Sequence, residues 1–447
     1  MTRDGKPLEL PGLYWDEERR RYFPIASRPK RKAIDELSVE SQRTYTDERD
    51  SQWRRAATSR YLQTSRTGQG NFSQRLRLVD DLEGISLVNS YTELNPSLRP
   101  LTWHPSKIAS FCTTTADDAL NVLVGDSRGV LHCSRAVNKT IPGANAGPER
   151  FNDNSRLFTS YHLGSGSPIV KIATCGNLAV AVSNTCDSCL LAIRDLKAPD
   201  YSGVSFPRIN ATGDIRAASL LDRSLALGMS KTLVWLKDVQ SSTRNHRTLH
   251  TRSDVLSVVQ SPNTITAGLR SGEVRLFDVR TRGDVSTELF GSRYSRRSDW
   301  ELGPSKDMKS RMAHAAVTHL QQLGDWEMLV GTSSGELEMF DLRFATGTRV
   351  EPTTSFKGHV NSYLLDLGIA TDPTSSFLFA AGQDRRIRAW SLKSGEQLGT
   401  VLGGAQLASP ARALAVTQRD NNLRGGKWLW ISQDDEIRVL RLGQPSS

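Results

Sequence analysis

From residue 85 onward the apolar positions of this chain fall into short runs, several alternating with polar residues, and the runs are split by Gly, Ser and Asp. That rhythm is the mark of short strands joined by tight turns. Two stretches are near copies: Ser271-Gly272-Glu273-Val274-Arg275-Leu276-Phe277-Asp278-Val279-Arg280 and Ser334-Gly335-Glu336-Leu337-Glu338-Met339-Phe340-Asp341-Leu342-Arg343. Each is a Ser-Gly turn, an alternating strand and an aromatic-Asp-aliphatic-Arg ending. A third version runs from Asp384 through Trp390 to Lys393. Self-similarity at this spacing predicts a repeat fold.

Seven units can be laid out on that pattern, over about 100–136, 167–197 and 213–239, then two ending at Arg280 and Arg343, one from Gly358 to Lys393 and one over about 411–442. The expected fold is all-β, a seven-bladed propeller over residues 85–443 with a short tail at 444–447. The last unit shows three strands. Ile85-Ser86-Leu87-Val88 reads as a strand, and the stretch from Ile85 to Tyr91 is the candidate fourth, which would close the ring and remove an exposed edge.

Residues 1–84 have a different texture and are expected to form a basic, partly helical or disordered extension. They hold 17 Lys/Arg and 14 Asp/Glu. Pro11, Gly12, Tyr14, Trp15, Asp16, Arg21, Tyr22 and Phe23 belong to a peptide in which two aromatic clusters flank a charged turn. A hairpin there would present the aromatics to a groove, or the peptide packs on its own propeller. Arg28, Lys30, Arg31 and Lys32 form a dense basic run of the kind read by nuclear-import carriers. Ser41–Tyr61 lacks Gly and Pro and places Trp53, Ala57 and Tyr61 at four-residue spacing, so a helix with a narrow docking stripe is expected. Gly68-Gln69-Gly70-Asn71 would end it.

Charge adds a partner class. The net charge of +10 suits an acidic protein face or nucleic acid, or simply a basic surface. The loop 291–311 carries six Lys/Arg against three Asp/Glu with Tyr294 and Trp300 interleaved, and separates the two Arg endings by more than one repeat. A second insertion, 138–154, is rich in Gly, Pro and Asn. Five cysteines, an odd and low count, argue against a disulfide framework. No apolar window is long enough to span a membrane, and no apolar core follows Met1, so a secretory signal is not expected. Phosphate-binding, dinucleotide and nucleophile-elbow motifs are absent. Cys186 and Cys189 are a lone pair, short of a four-ligand zinc site; His314 and His319 sit five apart, on opposite faces of a strand. No metal or cofactor is expected, and no enzyme activity.

The units resemble WD repeats. In that family a His, a Ser/Thr, an Asp and a Trp form a buried network within each blade. The sixth unit keeps His359, Asp384 and Trp390, with Ala381 at the hydroxyl position; in the fourth and fifth, Phe277 and Phe340 replace the Trp and have no N–H to donate. The two Arg endings are similar to the WDXR motifs of cullin-4 substrate receptors. The resemblance implies that Phe277, Asp278 and Arg280, with Phe340, Asp341 and Arg343, face the propeller adaptor DDB1 on the narrow side of the ring. Otherwise each Arg pairs with its own Asp. Pro11–Phe23 looks like the Pro-Gly-x-Tyr-Tyr-Asp…Arg-Tyr-Phe segment of the DDB1- and cullin-4-associated factor 4 type (WD repeat protein 21), with Trp15 in place of the second Tyr. By that analogy Trp53 and Tyr61 would enter a cleft of the adaptor. The resemblance implies a non-catalytic receptor that bridges DDB1, and through it cullin-4, to an unknown target protein; the basic run at 28–32 gives the nucleus as the expected compartment, with the cytoplasm as a second. The competing expectation is a WD-repeat scaffold in a nuclear chromatin or RNA-processing complex.

Overall fold

The computed structural model describes residues 13–16, 21–24, 72–93, 106–116, 119–137, 159–164, 166–185, 188–198, 203–210, 213–241, 246–281, 285–290, 315–345, 350–362, 364–418 and 427–443. The chain divides into two units, Met1–Gly68 and Gln69–Ser447. In the first, Leu13–Asp16 and Arg21–Pro24 form an antiparallel hairpin with Trp15 opposite Tyr22 and Asp16 opposite Arg21. Pro11, Gly12, the basic run at 28–32 and the Ser41–Tyr61 segment with Trp53 and Tyr61 lie outside the described residues, as do the insertions 138–154 and 291–311 and the residues Cys186 and His314.

The second unit is a seven-bladed β-propeller. Blades one to six span 108–162, 169–209, 217–250, 255–290, 317–355 and 369–400, and in each the strands pair in chain order from the inner edge outward. Blade two has a broken outer strand, Val204–Ser205 and Arg208–Ile209, both paired to Cys189–Asp195. Blade seven takes Leu414–Gln418, Lys427–Gln433 and Glu436–Leu442 from one end of the unit and Tyr91–Glu93 from the other. The ring thus closes with strands from both ends of the unit. Arg438 clamps the joint with a forked pair to Glu93 at 2.7 and 2.8 Å.

The expected strand Ile85–Val88 is instead the end of an 18-residue helix, α1 (Phe72–Asn89). Strand pairing begins only at Tyr91, opposite Leu442. Asp81, Gly84 and Val88 recur at helical spacing on one buried face. Ser394 Oγ donates to Asp81 at 2.9 Å. A Cβ on Gly84 would lie 2.6 Å from Leu398 Cδ1 and 2.7 Å from Phe377 Cε1. The missing side chain is what lets the helix lie this close to the outer strand of blade six, Gln397–Thr400. The outer strands of blades one to six were not read from sequence. They are short and partly exposed, as Thr159–His162 and Thr354–Ser355 illustrate, and such segments carry little periodicity.

The core lies between blades. One buried cluster joins Val180, Val182 and Leu191 of blade two to Leu225, Leu227 and Val234 of blade three; further clusters join blades three and four, four and five, and five and six. Second strands are therefore covered on both faces, which explains continuous apolar runs such as Phe377–Ala381, buried throughout. Adjacent blades interlock at a repeated notch. Built Cβ atoms on Gly125, Gly228, Gly268 and Gly331 would fall 2.5, 2.6, 2.5 and 3.2 Å from Ile169, Val255, Val317 and Ile369, each at the head of the next blade's inner strand. Ser110 and Ser257 donate their hydroxyls to the carbonyls of Ile169 and Val317 across the same joints. Gly125→Ala is expected to overpack one joint and destabilise the propeller by about 1–3 kcal/mol, seen as a lower urea midpoint with an unchanged slope; an unchanged midpoint would mean the joint relaxes freely.

Candidate functional site: two aspartate–arginine forks

The end of the third strand is built the same way in four consecutive blades. Asp195, Asp238, Asp278 and Asp341 each accept, through Oδ1, the backbone N–H of the residue two positions on, at 2.9, 2.9, 2.9 and 3.0 Å. This is an Asx turn, in which a short carboxylate satisfies a donor the strand can no longer pair. The residue between them is tied back as well: Leu196, Val239, Val279 and Leu342 donate their N–H groups to the carbonyls of Asn177, Arg223, Asn263 and Trp326. The aspartate is thus an architectural residue. What varies is the residue whose N–H it holds: Lys197, Gln240, Arg280 and Arg343.

Among the described residues, only in blades four and five does that residue close a second ring onto the same aspartate. Arg280 Nε and Nη2 donate to Asp278 Oδ1 and Oδ2 at 3.0 and 2.7 Å. Arg343 Nε donates to Asp341 Oδ1 at 2.9 Å, and its Nη2 to Oδ2. The two forks sit on successive blades in the same local frame. The pairing within each motif that the sequence left open is therefore what the structure contains. It does not bury the cations: the arginine side chains are 67% and 56% exposed. A fork that uses Nε and Nη2 fixes the guanidinium plane while leaving one face and edge to solvent. Behind each fork an aromatic anchors the strand. Phe277 is fully buried between blades three and four, and Phe340 stacks on Phe290 with centroids 4.4 Å apart. Arg247, from the outer strand of blade three, donates to the Val279 carbonyl at 3.1 Å and braces the first turn.

The guanidinium at Arg280 holds the Asp278 carboxyl down at about 2, and Arg343 depresses Asp341 in the same way. A depressed carboxyl keeps its partner above its folded pKa and loses it as pH falls through that value. The Asp278 side-chain carboxyl carbon resonance is therefore expected to hold its position from pH 7 to pH 4; a titration centred near pH 4 would show the pair to be open in solution.

The three WD-type residues of blade six are in place but not joined into one chain of side-chain bonds. His359 Nε2 donates to the Ala381 carbonyl at 3.0 Å, so backbone oxygen serves where the repeat pattern has a hydroxyl. Trp390 Nε1 donates to the Lys357 carbonyl at 2.8 Å. Asp384 turns instead to Arg388, in a forked pair of 3.0 and 2.7 Å that is almost wholly buried. Blade one carries a polar set that sequence reading passed over: His132 Nδ1 lies 2.8 Å from Ser160 Oγ, with its other nitrogen 3.7 Å from Asp126. The spacing Asp126-x-x-Gly129-Val130-x-His132 was the available signal. Removing one member of a buried ion pair strands the other. Arg388→Ala is expected to destabilise by about 3–5 kcal/mol, with the double change Asp384→Asn/Arg388→Met recovering part of it in chemical denaturation.

Among the described residues no three metal-binding side chains cluster. Burial pushes the Cys189 thiol up to about 12, so it stays protonated. No helix among the described residues is long and apolar enough to cross a membrane.

The four-stranded blades, closed by strands from both ends of the unit, define a seven-bladed β-propeller. No family model matches the chain. It is similar to human DDB1- and CUL4-associated factor 4, 23% identical over 432 residues that cover 88% of this chain and 78% of the relative. The cattle protein of the same name is 24% identical over 446 residues, with 88% and 79% covered. Human DDB1- and CUL4-associated factor 4-like protein 2 is 28% identical over 226 residues, about half of each chain. The resemblance read from the hairpin peptide and the two Arg endings is thus matched across most of the sequence.

Proposed function

We propose that this chain is a non-catalytic substrate receptor of a cullin-4 RING ubiquitin ligase, docking on a DDB1-type adaptor through Arg280 and Arg343. The names of its relatives support the association with DDB1 and CUL4. The observation that carries the site is the selective one: four blades share the aspartate turn, and only two adjacent blades add an arginine fork to it. If the arginine served the turn alone, Lys197 and Gln240 would not suffice at the same place. A guanidinium already oriented by its own carboxylate loses little entropy when its remaining donors meet acceptors on a partner. The chain's contribution is positional. One face of the ring holds the adaptor and another holds the target, so that ubiquitin transfer gains from high local concentration without chemistry from the receptor. The basic run at 28–32 would take the complex to the nucleus.

The test is binding of purified adaptor to the full-length protein. Arg280→Ala/Arg343→Ala is expected to weaken binding at least tenfold with the melting temperature unchanged, and Arg280→Lys/Arg343→Lys to restore little, because an ammonium cannot make the fork. If the wild type does not bind adaptor, the receptor reading falls. Salt-sensitive binding to acidic partners, driven by the net charge of +10, would then favour the scaffold reading.

A further inference from the structure

Among the described residues, five large apolar side chains are substantially exposed: Phe206, Val285, Trp326, Phe344 and Leu364. Two of them lie at one place, the end of blade five that carries Arg343. Trp326, in the turn between the first two strands, accepts the Leu342 N–H on its carbonyl at 2.7 Å. Phe344 follows Arg343 directly, and the Arg343 guanidinium carbon lies 5.7 Å from its ring centroid. The tryptophan is 54% exposed and the phenylalanine 70%.

Blade four shows that the turn needs neither ring. There the carbonyl that accepts the Val279 N–H, at 3.0 Å, belongs to Asn263, and the residue after Arg280 is Thr281. The same aspartate turn and the same fork form with two small polar residues. The aromatic pair is therefore an addition to blade five, and one that the free protein leaves in water. It is also held in place. Asp341 caps the short 3-10 turn Leu342–Phe344 by accepting the Arg343 N–H, which fixes where Phe344 leaves the backbone. Asp325 and Glu327 flank the tryptophan, and both are exposed. The patch is a ring beside a fixed guanidinium, with a second exposed ring on the turn bonded to the same strand end and exposed carboxylates flanking it in sequence.

Resting on the receptor reading above, we infer that Trp326 and Phe344 form the apolar anchor of the adaptor contact, so that docking is centred on blade five and the fork of blade four orients it. The partner surface is an apolar pocket bordered by carbonyl or carboxylate acceptors for Arg343. Continuity with the two forks is what assigns the adaptor rather than the target to this patch. Exposed aromatics beside an arginine are the composition that dominates binding energy at protein interfaces, whereas rim charges mainly set rate and salt dependence.

The experiment measures Kd for purified DDB1-type adaptor against the full chain as wild type, Trp326→Ser/Phe344→Ser, Arg280→Ala/Arg343→Ala and Phe206→Ser, at low and high salt, with melting temperatures alongside. The aromatic double change is expected to weaken binding at least thirtyfold by a factor that salt does not alter. The arginine change should weaken it by a factor that shrinks in high salt, and Phe206→Ser should stay within twofold of wild type. Trp326→Phe, which keeps a ring, should recover most of the affinity lost in Trp326→Ser. If the arginine variant loses binding while the aromatic variant stays within twofold of wild type, the anchor inference is overturned and the receptor reading survives. If wild type binds no adaptor, both fall. If sedimentation shows a wild-type dimer that the aromatic change converts to monomer with adaptor affinity intact, the patch serves a second copy of this chain and the inference is wrong.

Discussion

The ring depends on the joint between blades. A propeller blade is too thin to bury its own apolar residues, so its second strand must be covered from both sides by its neighbours. At four of the joints a glycine near the end of that strand lets the head of the next inner strand seat against backbone, and a β-branched residue fills the notch. The hydroxyls of Ser110 and Ser257 bond across the same joints and leave the neighbouring carbonyls satisfied where the chain is dry.

Within that frame the aspartate turn at the end of the third strand serves the architecture before it serves any partner. It recurs in blades two to five with lysine, glutamine and two arginines at the variable place. Function enters as the choice of a side chain on a turn the fold already requires. An exposed fork contributes little to stability, which leaves the position open to selection for binding. The same logic separates Trp326 and Phe344 from Asn263 and Thr281: one aspartate turn, unequal surfaces.

Sequence carried the strand-and-turn rhythm, the blade count and the two Arg endings, because each is a local pattern repeated along the chain. The hairpin at 13–24 was also legible, since a charged turn between aromatic clusters leaves few other geometries. The segment Ile85–Val88 was misread as a strand. Its alternation is equally compatible with a helical face, and α1 was decided by the close approach of Gly84 to Leu398 and Phe377. The blade-six polar residues were found, but their bonds were not. Arg388 is distant from no one in sequence, yet only burial makes it the strongest partner for Asp384.

The amino-acid order by itself determined what each blade is made of: where strands run, where glycine and aspartate force turns, and which two turns end in arginine. These follow from period, steric freedom and short-range hydrogen bonding, which act within a few residues. The tertiary structure decided which end strand closes the ring, which carbonyl or carboxylate each buried polar group meets, and which aromatics stay in water. Those outcomes depend on groups brought together from far along the chain, such as Glu93 with Arg438 or Asp81 with Ser394, and no local pattern encodes that proximity.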